Sequence, residues 1–351
     1  MTDLSFLLYG ASGYTGRLAA EHAVARGLRP VLAGRSREKV EPLARSLGLE
    51  WRTFDLGSPS HVRDGIRNVP AVLHAAGPFS ATSRPMVDAC LEAGIHYIDI
   101  TGEIDVFEAI AARDAEARDA GVMLLPGAGF DVVPSDCLAA HVRRRLPDAT
   151  RLRLSFRTTG GISRGTARTS VEGMGRGTRV RRGGRIVELG RTPRATVDFG
   201  SGLRPAVGLS WGDVATAWYS TGIPDIEVFF GSSRRLALVA ALPRPIKRLL
   251  ATRVGRGVLA TLIEKRMAPG PTSAERARTG TVIVAEAWNE GGGHVASRLR
   301  TAEAYTLTAW TAVEIARRAS SGSAGPGYQT PSTAYGADFI LAFEGSARED
   351  L

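Results

Sequence analysis

Cysteine is scarce in this chain of 351 residues, and the two that occur, Cys90 and Cys137, lie in helix-like contexts without the spacing of metal ligands. So few cysteines exclude the disulfide framework of a small secreted domain. The six histidines are scattered, and no spacing of histidines or paired carboxylates indicates a metal site. We therefore predict no metal, and we expect a protein of a reducing compartment.

Long apolar runs are also missing, since none reaches the roughly 20 residues that a membrane helix needs. The first residues lack the basic and apolar regions of a signal peptide. Both absences favour a cytoplasmic protein without a transmembrane segment. With 44% hydrophobic residues, the chain is long enough for two domains.

Acidic residues are too few to balance the basic ones, which leaves a net charge of +10. The excess is nearly all arginine and is spread along the chain without interleaved aromatic residues, so we predict no nucleic-acid partner. One basic and apolar stretch, residues 236–267, is open to two interpretations. It either covers a core, or contacts an anionic membrane surface or an acidic carrier protein.

Short apolar strands alternate with helices in the first 148 residues. The predicted strands are LSFLLY, RPVLAG, EWRTFD, AVLHAAG, IHYIDI and residues 121–125. The first predicted helix begins near Tyr14. Four more cover 38–47, 61–67, 85–93 and 106–119, and a last helix ends near Arg145. This alternation predicts an α/β fold with a doubly wound, Rossmann-type parallel sheet over residues 1–148.

Strand patterns of another kind follow. RLRLSFR (151–157) alternates with a period of two, DIEVFF (225–230) is a second strand, and a hairpin is predicted around the glycines 291–293. We therefore predict an α+β substrate or catalytic domain with a largely antiparallel sheet over residues 149–305. The helices of residues 306–351 are expected to pack back on the first domain.

The motif GASGYTG joins the first strand to the first helix. Its spacing is G-x-x-G-x-x-G rather than the strict G-x-G-x-x-G of dinucleotide sites. Helix-opening N–H groups carry the positive end of the helix dipole, so glycines that let a ligand approach make an anion site. An ordinary tight turn is the alternative. The predicted phosphate-binding residues are Gly10, Ser12, Gly13, Tyr14, Thr15 and Gly16.

The end of the second strand decides between NAD and NADP. An acidic residue there binds the ribose hydroxyls of NAD, whereas an arginine accommodates the 2′-phosphate of NADP. Here Arg35, Ser36 and Arg37 precede any acidic residue, so NADP(H) is predicted. Ser36 is expected to cap the next helix as well. The alternative is a solvated basic helix start.

Two later strand ends are predicted to complete the cofactor site, because ligands of open α/β sheets bind outside the carboxyl ends of strands. Asp55 is placed to meet the adenine, or alternatively to cap the next helix. Ala76, Gly77 and Pro78 offer small side chains against which a dinucleotide could lie.

The segments GASGYTG, AGRS, HAAGPF, YIDITGE and PGAGFDVVPSD together resemble the saccharopine dehydrogenase-like superfamily. GGISRGTARTSVEGM and GYQTPSTAYG resemble its branch of trans-acting enoyl reductases. The resemblance implies a Rossmann domain that binds NADP(H), a second domain with a mixed or antiparallel sheet, and reduction of an acyl double bond made by a partner polyketide synthase. It is weakest between residues 195 and 275.

A nicotinamide reductase needs a proton source near the hydride acceptor. The catalytic candidates are Glu103, Asp131 and Thr166, each with a structural alternative such as a helix cap. The glycine-rich approach to Thr166 offers a helix N-terminus that could polarise a thioester carbonyl. His74, within an apolar strand, is predicted to be a satisfied core histidine.

These observations favour an NADPH-dependent reductase of carbon–carbon double bonds in acyl or polyketide-type substrates. Two alternatives stay open: an amino acid dehydrogenase of the saccharopine type that reduces an imine, and a protein that binds NADP without catalysis. The expected partner is a small molecule or an acyl chain on an acidic carrier. The sequence predicts no particular oligomeric state.

Overall fold

The computed structural model describes residues 6–158, 177–231, 270–323 and 325–351, together with residues 252, 255, 257–259, 261, 262, 267 and 268. The catalytic candidate Thr166 lies outside the described residues. So do the basic residues of the 236–267 stretch, Arg244, Lys247, Arg248, Arg253, Arg256, Lys265 and Arg266.

The first sheet consists of seven parallel strands. They are β1 (Leu7–Tyr9), β2 (Val31–Gly34), β3 (Trp51–Thr53), β4 (Ala71–His74), β5 (His96–Asp99), β6 (Met123–Leu125) and β15 (Gly327–Tyr328). Their order is β15-β6-β5-β4-β1-β2-β3, and every pairing is parallel. The six N-terminal strands have the order 3-2-1-4-5-6 of a dinucleotide-binding fold, which confirms the predicted fold class.

The helices of this part are α1 (Tyr14–Ala25), α2 (Arg37–Leu47), α3 (Pro59–Gly65), α4 (Phe79–Ala93), α5 (Ile104–Ala111), α6 (Asp114–Asp119) and α7 (Val133–Arg145). Two sequence predictions were wrong. Helix α4 begins at Phe79 rather than Pro85, because a distant glutamate satisfies its first N–H groups, as shown below. The single helix predicted for 106–119 is two helices, α5 and α6.

The second sheet is mixed. Its strands are β7 (Arg151–Thr158), β8 (Thr178–Arg182), β9 (Arg185–Leu189), β10 (Arg194–Asp198), β11 (Leu203–Gly208), β12 (Asp225–Gly231), β13 (Gly280–Trp288), β14 (His294–Ala302) and β16 (Ala347–Asp350). The order is β10-β11-β12-β7-β13-β14-β16, and β8 joins β12 to β9. Among the described strands of this second sheet, only the β12–β7 pair is parallel. The predicted hairpin is confirmed, with Trp288 opposite His294.

Four further helices complete the described elements: α8 (Asp213–Thr221), α9 (Ser273–Ala277), α10 (Ala304–Ser320) and α11 (Pro331–Tyr335). A 3-10 turn covers Phe339–Ala342. Helix α10 packs against α1 and against β4 and β5. Within the described part of the chain, no helix is both long enough and apolar enough to cross a membrane.

One hydrophobic core connects the two sheets. It runs from Leu8 and Leu73 of the first sheet through Leu138 of α7 to Phe156 and Ile283 of the second. The last residues of the chain serve both sheets, because β15 extends the first and β16 the second. The proposed domain boundaries at residues 148 and 305 stay predictions.

Candidate functional site

The parallel strands of the first sheet end at one edge, and the predicted site residues follow them there. Gly10 follows β1, Arg35 follows β2, and the segment 75–78 follows β4. Glu103 comes after β5, and Asp131 comes after β6. Because the carboxyl ends of parallel strands share an edge, the fold brings these segments together.

The glycine turn after β1 is packed so closely that side chains are excluded. Gly10 has φ of +87°, and a Cβ there would lie 2.8 Å from the backbone of Ala75 and 2.9 Å from the Ala76 side chain. A Cβ on Gly16 would overlap the Gly10 carbonyl oxygen. Gly13 differs, since its Cβ would meet only that oxygen, at 3.3 Å. Gly10 and Gly16 therefore shape the turn, while Gly13 keeps its outer surface open.

The N-terminus of α1 fits an anion. Gly13 is the N-cap residue, no side chain caps the helix, and no acidic residue lies in the first turn. Arg17 N–H donates to Gly13 O at 2.8 Å, so the N–H groups of Tyr14, Thr15 and Gly16 precede the first intrahelical bond. These unsatisfied donors and the helix dipole would hold the pyrophosphate of a dinucleotide.

Arg35 and Arg37 differ in their surroundings. Arg37 is held by Glu41 at 2.8 Å and lies over the Trp51 ring at 5.2 Å. Arg35 is exposed and forms no ion pair with a described residue. Ser36 occupies the N-cap position of α2, but its hydroxyl makes no capping bond, contrary to the prediction. The free groups after β2 are therefore the Arg35 guanidinium and the Ser36 hydroxyl.

A cavity of about 350 Å³ lies between the glycine turn and α2, lined among others by Ser12, Arg17 and Lys39. Arg17 and Lys39 were missed in the sequence analysis. Both face the cavity because they lie in the first turns of α1 and α2, the two helices that follow the predicted phosphate-binding segments. Glu38 lines the same cavity, so one carboxylate partly offsets the two positive charges.

Asp55 bonds to its own loop. Its Oδ1 accepts from Gly57 N–H at 2.8 Å and its Oδ2 lies 3.2 Å from His61 Nδ1. The N-cap of α3 is Ser58, so the alternative that Asp55 caps this helix is wrong. The carboxylate is exposed at the edge of the sheet, and its proposed contact with adenine stays a prediction.

Glu103 stabilises the start of α4. Its carboxylate oxygens accept hydrogen bonds from Phe79 N–H at 2.8 Å and Ser80 N–H at 3.0 Å. These donors follow Gly77 and Pro78 directly, so the bond fixes the loop that was predicted to support the dinucleotide. Because both oxygens are occupied as acceptors, the geometry favours the structural alternative for Glu103 over proton donation.

Asp131 has the surroundings of a proton donor. Its carboxylate packs over Gly102, where a Cβ would lie 2.8 Å from Oδ2. No described residue donates a hydrogen bond to this carboxylate, and burial raises the pKa of Asp131 to about 6. Its backbone is fixed, because the Trp211 indole N–H donates to Asp131 O at 2.9 Å. A carboxyl group with such a pKa can carry a proton near neutral pH.

A second acidic group, missed in the sequence analysis, lies behind Asp131. Asp213, the first residue of α8, is fully buried, and neither of its oxygens accepts a hydrogen bond from the described residues. Burial raises the pKa of Asp213 well above its usual range, and the charges of Asp136 and Asp131 raise it further. The sequence WGD (211–213) gave no periodic or motif signal that could have identified Asp213.

The remaining polar groups of this edge have structural partners. Asp99 is buried and accepts from Thr101 N–H and Gly127 N–H, both at 2.9 Å, and from the Tyr97 hydroxyl at 2.7 Å. Burial raises the pKa of Asp99 to about 6. Tyr97 also lies 3.3 Å from His74 Nδ1. His74 is a core histidine as predicted, and burial lowers its pKa to about 3. Its Nε2 is the exception at this edge, since it has no hydrogen-bond partner among the described residues.

Comparison with known proteins gives a consistent result. Residues 6–125 match the family described as saccharopine dehydrogenase NADP binding domain. A trans-acting enoyl reductase of Mycobacterium tuberculosis is 33% identical over 151 residues, which cover 41% of this chain and 36% of that protein. A putative trans-acting enoyl reductase of the same organism is 32% identical over 186 residues, 48% of this chain and 44% of that protein. The matches thus span less than half of these relatives' length.

Among solved structures, the apo saccharopine dehydrogenase (L-Glu forming) of Saccharomyces cerevisiae superimposes over 99% of both chains. The TM-score is 0.68 and the sequence identity is 9%. At this identity the likeness concerns the fold alone. It extends the agreement from the dinucleotide-binding part to the second sheet.

Proposed function

Since residues 6–125 of this chain belong to the saccharopine dehydrogenase NADP binding domain family, we propose that the chain is an NADPH-dependent reductase of an activated carbon–carbon double bond. The family match supports NADP(H) as the cofactor whatever the acceptor is. The proposal concerns the acceptor, an α,β-unsaturated acyl thioester. The choice of this acceptor is supported by the curated relatives, which are named as a trans-acting enoyl reductase and a putative one.

One observation carries the proposal beyond this likeness, namely the Asp131 carboxyl. NADPH bound at the glycine turn would supply a hydride for the β-carbon of the acceptor, and the acceptor would then be a thioester enolate. The enolate needs one proton at its α-carbon, and Asp131 can hold that proton because burial raises its pKa to about 6. Proton transfer from a positioned side chain contributes about 10²- to 10⁴-fold to such reactions.

The other residues of the edge have supporting roles in this proposal. Glu103 holds the start of α4, so that the loop 76–78 lies fixed beside the glycine turn. Trp211 fixes the Asp131 backbone and packs with Phe230, ring centroids 4.8 Å apart, and with Phe156, at 5.9 Å. Phe156 is buried in the core, whereas the half-buried rings of Trp211 and Phe230 leave an apolar surface near the backbone of the proposed proton donor. An acyl chain suits such a surface better than a charged amino acid does.

The test is oxidation of NADPH, followed by its absorbance, with two sets of acceptors. The first set is a panel of enoyl thioesters of increasing chain length. The second set pairs 2-oxo acids with amino acids, which form imines in solution. We expect turnover with the first set only. Turnover restricted to the second set would establish the imine reductase, and binding of NADPH without turnover of either set would establish a protein that binds NADP without catalysis.

We also propose that the acyl chain is presented by an acidic carrier protein. The support is the net charge of +10 and the basic stretch 236–267. Opposite charges speed an encounter and are screened by salt, because the Debye length falls from about 10 Å at 0.1 M to about 3 Å at 1 M. We expect activity with a carrier-bound substrate to fall with salt more steeply than activity with a free thioester. Equal salt profiles would contradict a charged carrier interface.

A further inference from the structure

Tyr14, in the glycine turn, is covered by a segment that lies more than 250 residues later in the chain. Its hydroxyl donates to Pro271 O at 2.5 Å. Arg276 Nη1 donates both to the Tyr14 hydroxyl, at 2.9 Å, and to Pro271 O, at 3.0 Å. A Cβ on Gly270 would lie 2.5 Å from the Tyr14 ring, so glycine is needed for this close approach. We call residues 270–276 the clasp.

The clasp is held in shape by its own hydrogen bonds. Thr272 and Glu275 form a capping box, in which the Thr272 hydroxyl accepts from Glu275 N–H and the Glu275 carboxylate accepts from Thr272 N–H. On the other side of the Tyr14 ring, Tyr305 makes an edge contact with centroids 5.1 Å apart. The capping box and the two hydrogen bonds of Arg276 therefore hold its guanidinium at the hydroxyl of Tyr14, the first residue of α1.

The charge of Arg276 is not balanced by a described carboxylate. Arg276 makes hydrogen bonds to Tyr14 and Pro271. It forms no ion pair with any described residue, and this holds for the buried Glu303 as well. Glu303 caps α10, where its Oε2 accepts from Tyr305 N–H and Thr306 N–H, each at 3.0 Å. A half-buried guanidinium without an ion pair, near the positive end of a helix, is a favourable place for an anion to bind.

We propose that the clasp closes over the glycine turn and that the Arg276 guanidinium binds the pyrophosphate of the dinucleotide. The Nη1 group bonds to the clasp and to Tyr14, while the other guanidinium donors have no partner among the described residues. They can reach a phosphate oxygen pair in the forked geometry that arginine favours. The second, mixed-sheet part of the chain thereby contributes a cofactor-binding residue from just before β13. This inference rests on the NADP(H) site alone and does not require any particular acceptor.

The test compares the binding of two ligands by calorimetric titration. NADP⁺ contains the pyrophosphate, whereas adenosine 2′-monophosphate has only the adenosine and its 2′-phosphate. We expect Arg276→Ala to weaken NADP⁺ binding about tenfold or more, because a hydrogen bond to a charged group is lost. Binding of adenosine 2′-monophosphate should stay unchanged. Arg276→Lys, which keeps the charge without the fork, should recover part of the affinity. Arg278→Ala is the matched control, since Arg278 is exposed two residues away.

Two results would overturn the proposal. Arg276→Ala could bind NADP⁺ as tightly as Arg278→Ala does, which would make the contact with Tyr14 purely structural. Arg276→Ala could also weaken the binding of NADP⁺ and of adenosine 2′-monophosphate equally, which would indicate a disturbed fold at the turn. Arg276→Gln, which keeps the length of the side chain, repeats the measurement if the alanine variant does not fold. None of these results depends on turnover, so they leave the proposed enoyl reduction to its own test.

Discussion

Replacement of Arg35 by alanine tests which residue reads the 2′-phosphate. Arg35 is exposed after β2 and has no ion pair in the described structure, so its removal breaks no contact that the fold needs. A hydrogen bond to a charged group contributes about 1.5–3 kcal/mol, and exposure places this contact at the lower end. We therefore expect NADPH binding to weaken about tenfold, since 1.4 kcal/mol corresponds to a factor of ten, while the weaker binding of NADH stays the same.

Arg37→Ala is the matched control for Arg35→Ala. Arg37 is two residues away, carries the same charge, and is already engaged with Glu41 and Trp51. Calorimetric titration with both cofactors should therefore give the control a nearly unchanged preference for NADPH. If the two variants lost the same affinity for NADPH, only the net charge of this region would matter. If Arg35→Ala weakened NADH as much as NADPH, Arg35 would not read the 2′-phosphate.

Three further predictions concern the proton donor, the glycine turn and the helix cap. Asp131→Asn should lower kcat about 100-fold or more while NADPH affinity is retained. In the parent protein, kcat/KM should fall as the pH rises through about 6, because the protonated form of Asp131 is then lost. A flat profile between pH 5 and 7 would exclude Asp131 as the proton donor. Gly16→Ala should lower the melting temperature, since a Cβ there overlaps the Gly10 carbonyl. Gly13→Val should fold and lose NADPH binding, and unchanged NADPH binding by this variant would place the anion site elsewhere. Glu103→Ala should lower the free energy of unfolding by about 1 kcal/mol through the lost cap of α4, as measured in urea, and an unchanged midpoint would show that the two N–H groups find other partners.

The alternation of strands and helices predicted β1 to β6, because each of these strands is short and is followed by a helix pattern. It did not predict β15 or β16, since residues 306–351 were expected to form helices. The glycine turn and Arg35 could be placed because local sequence fixes where a strand ends. The start of α4 could not be predicted, because its cap comes from Glu103, 24 residues further along the chain. Local propensity contains no information about such a contact.

The second sheet was predicted only in part. The period-two pattern identified β7, and the glycines identified the hairpin of β13 and β14. Strands β9 to β11 are short and largely exposed, and β8 (TRVRR) buries polar residues, so these strands lack the alternation of apolar and polar residues that marks a half-buried strand. Asp213 was missed for another reason, because a buried and unpartnered carboxyl group contradicts what its polarity predicts.

The pairing of β15 with β6 has a consequence for how the chain is made. Gly327 lies beside Met123 and Tyr328 beside Leu124, so the first sheet receives its outer strand about 200 residues after β6 has been synthesised. At a synthesis rate of about 5–20 residues per second, the backbone groups along that side of β6 stay unpaired for roughly 10 to 40 seconds during translation. An unpaired strand edge is a template for the wrong partner. A nascent chain of this protein therefore depends on late residues to block aggregation of an early domain, and premature termination before residue 327 would leave that edge open for good.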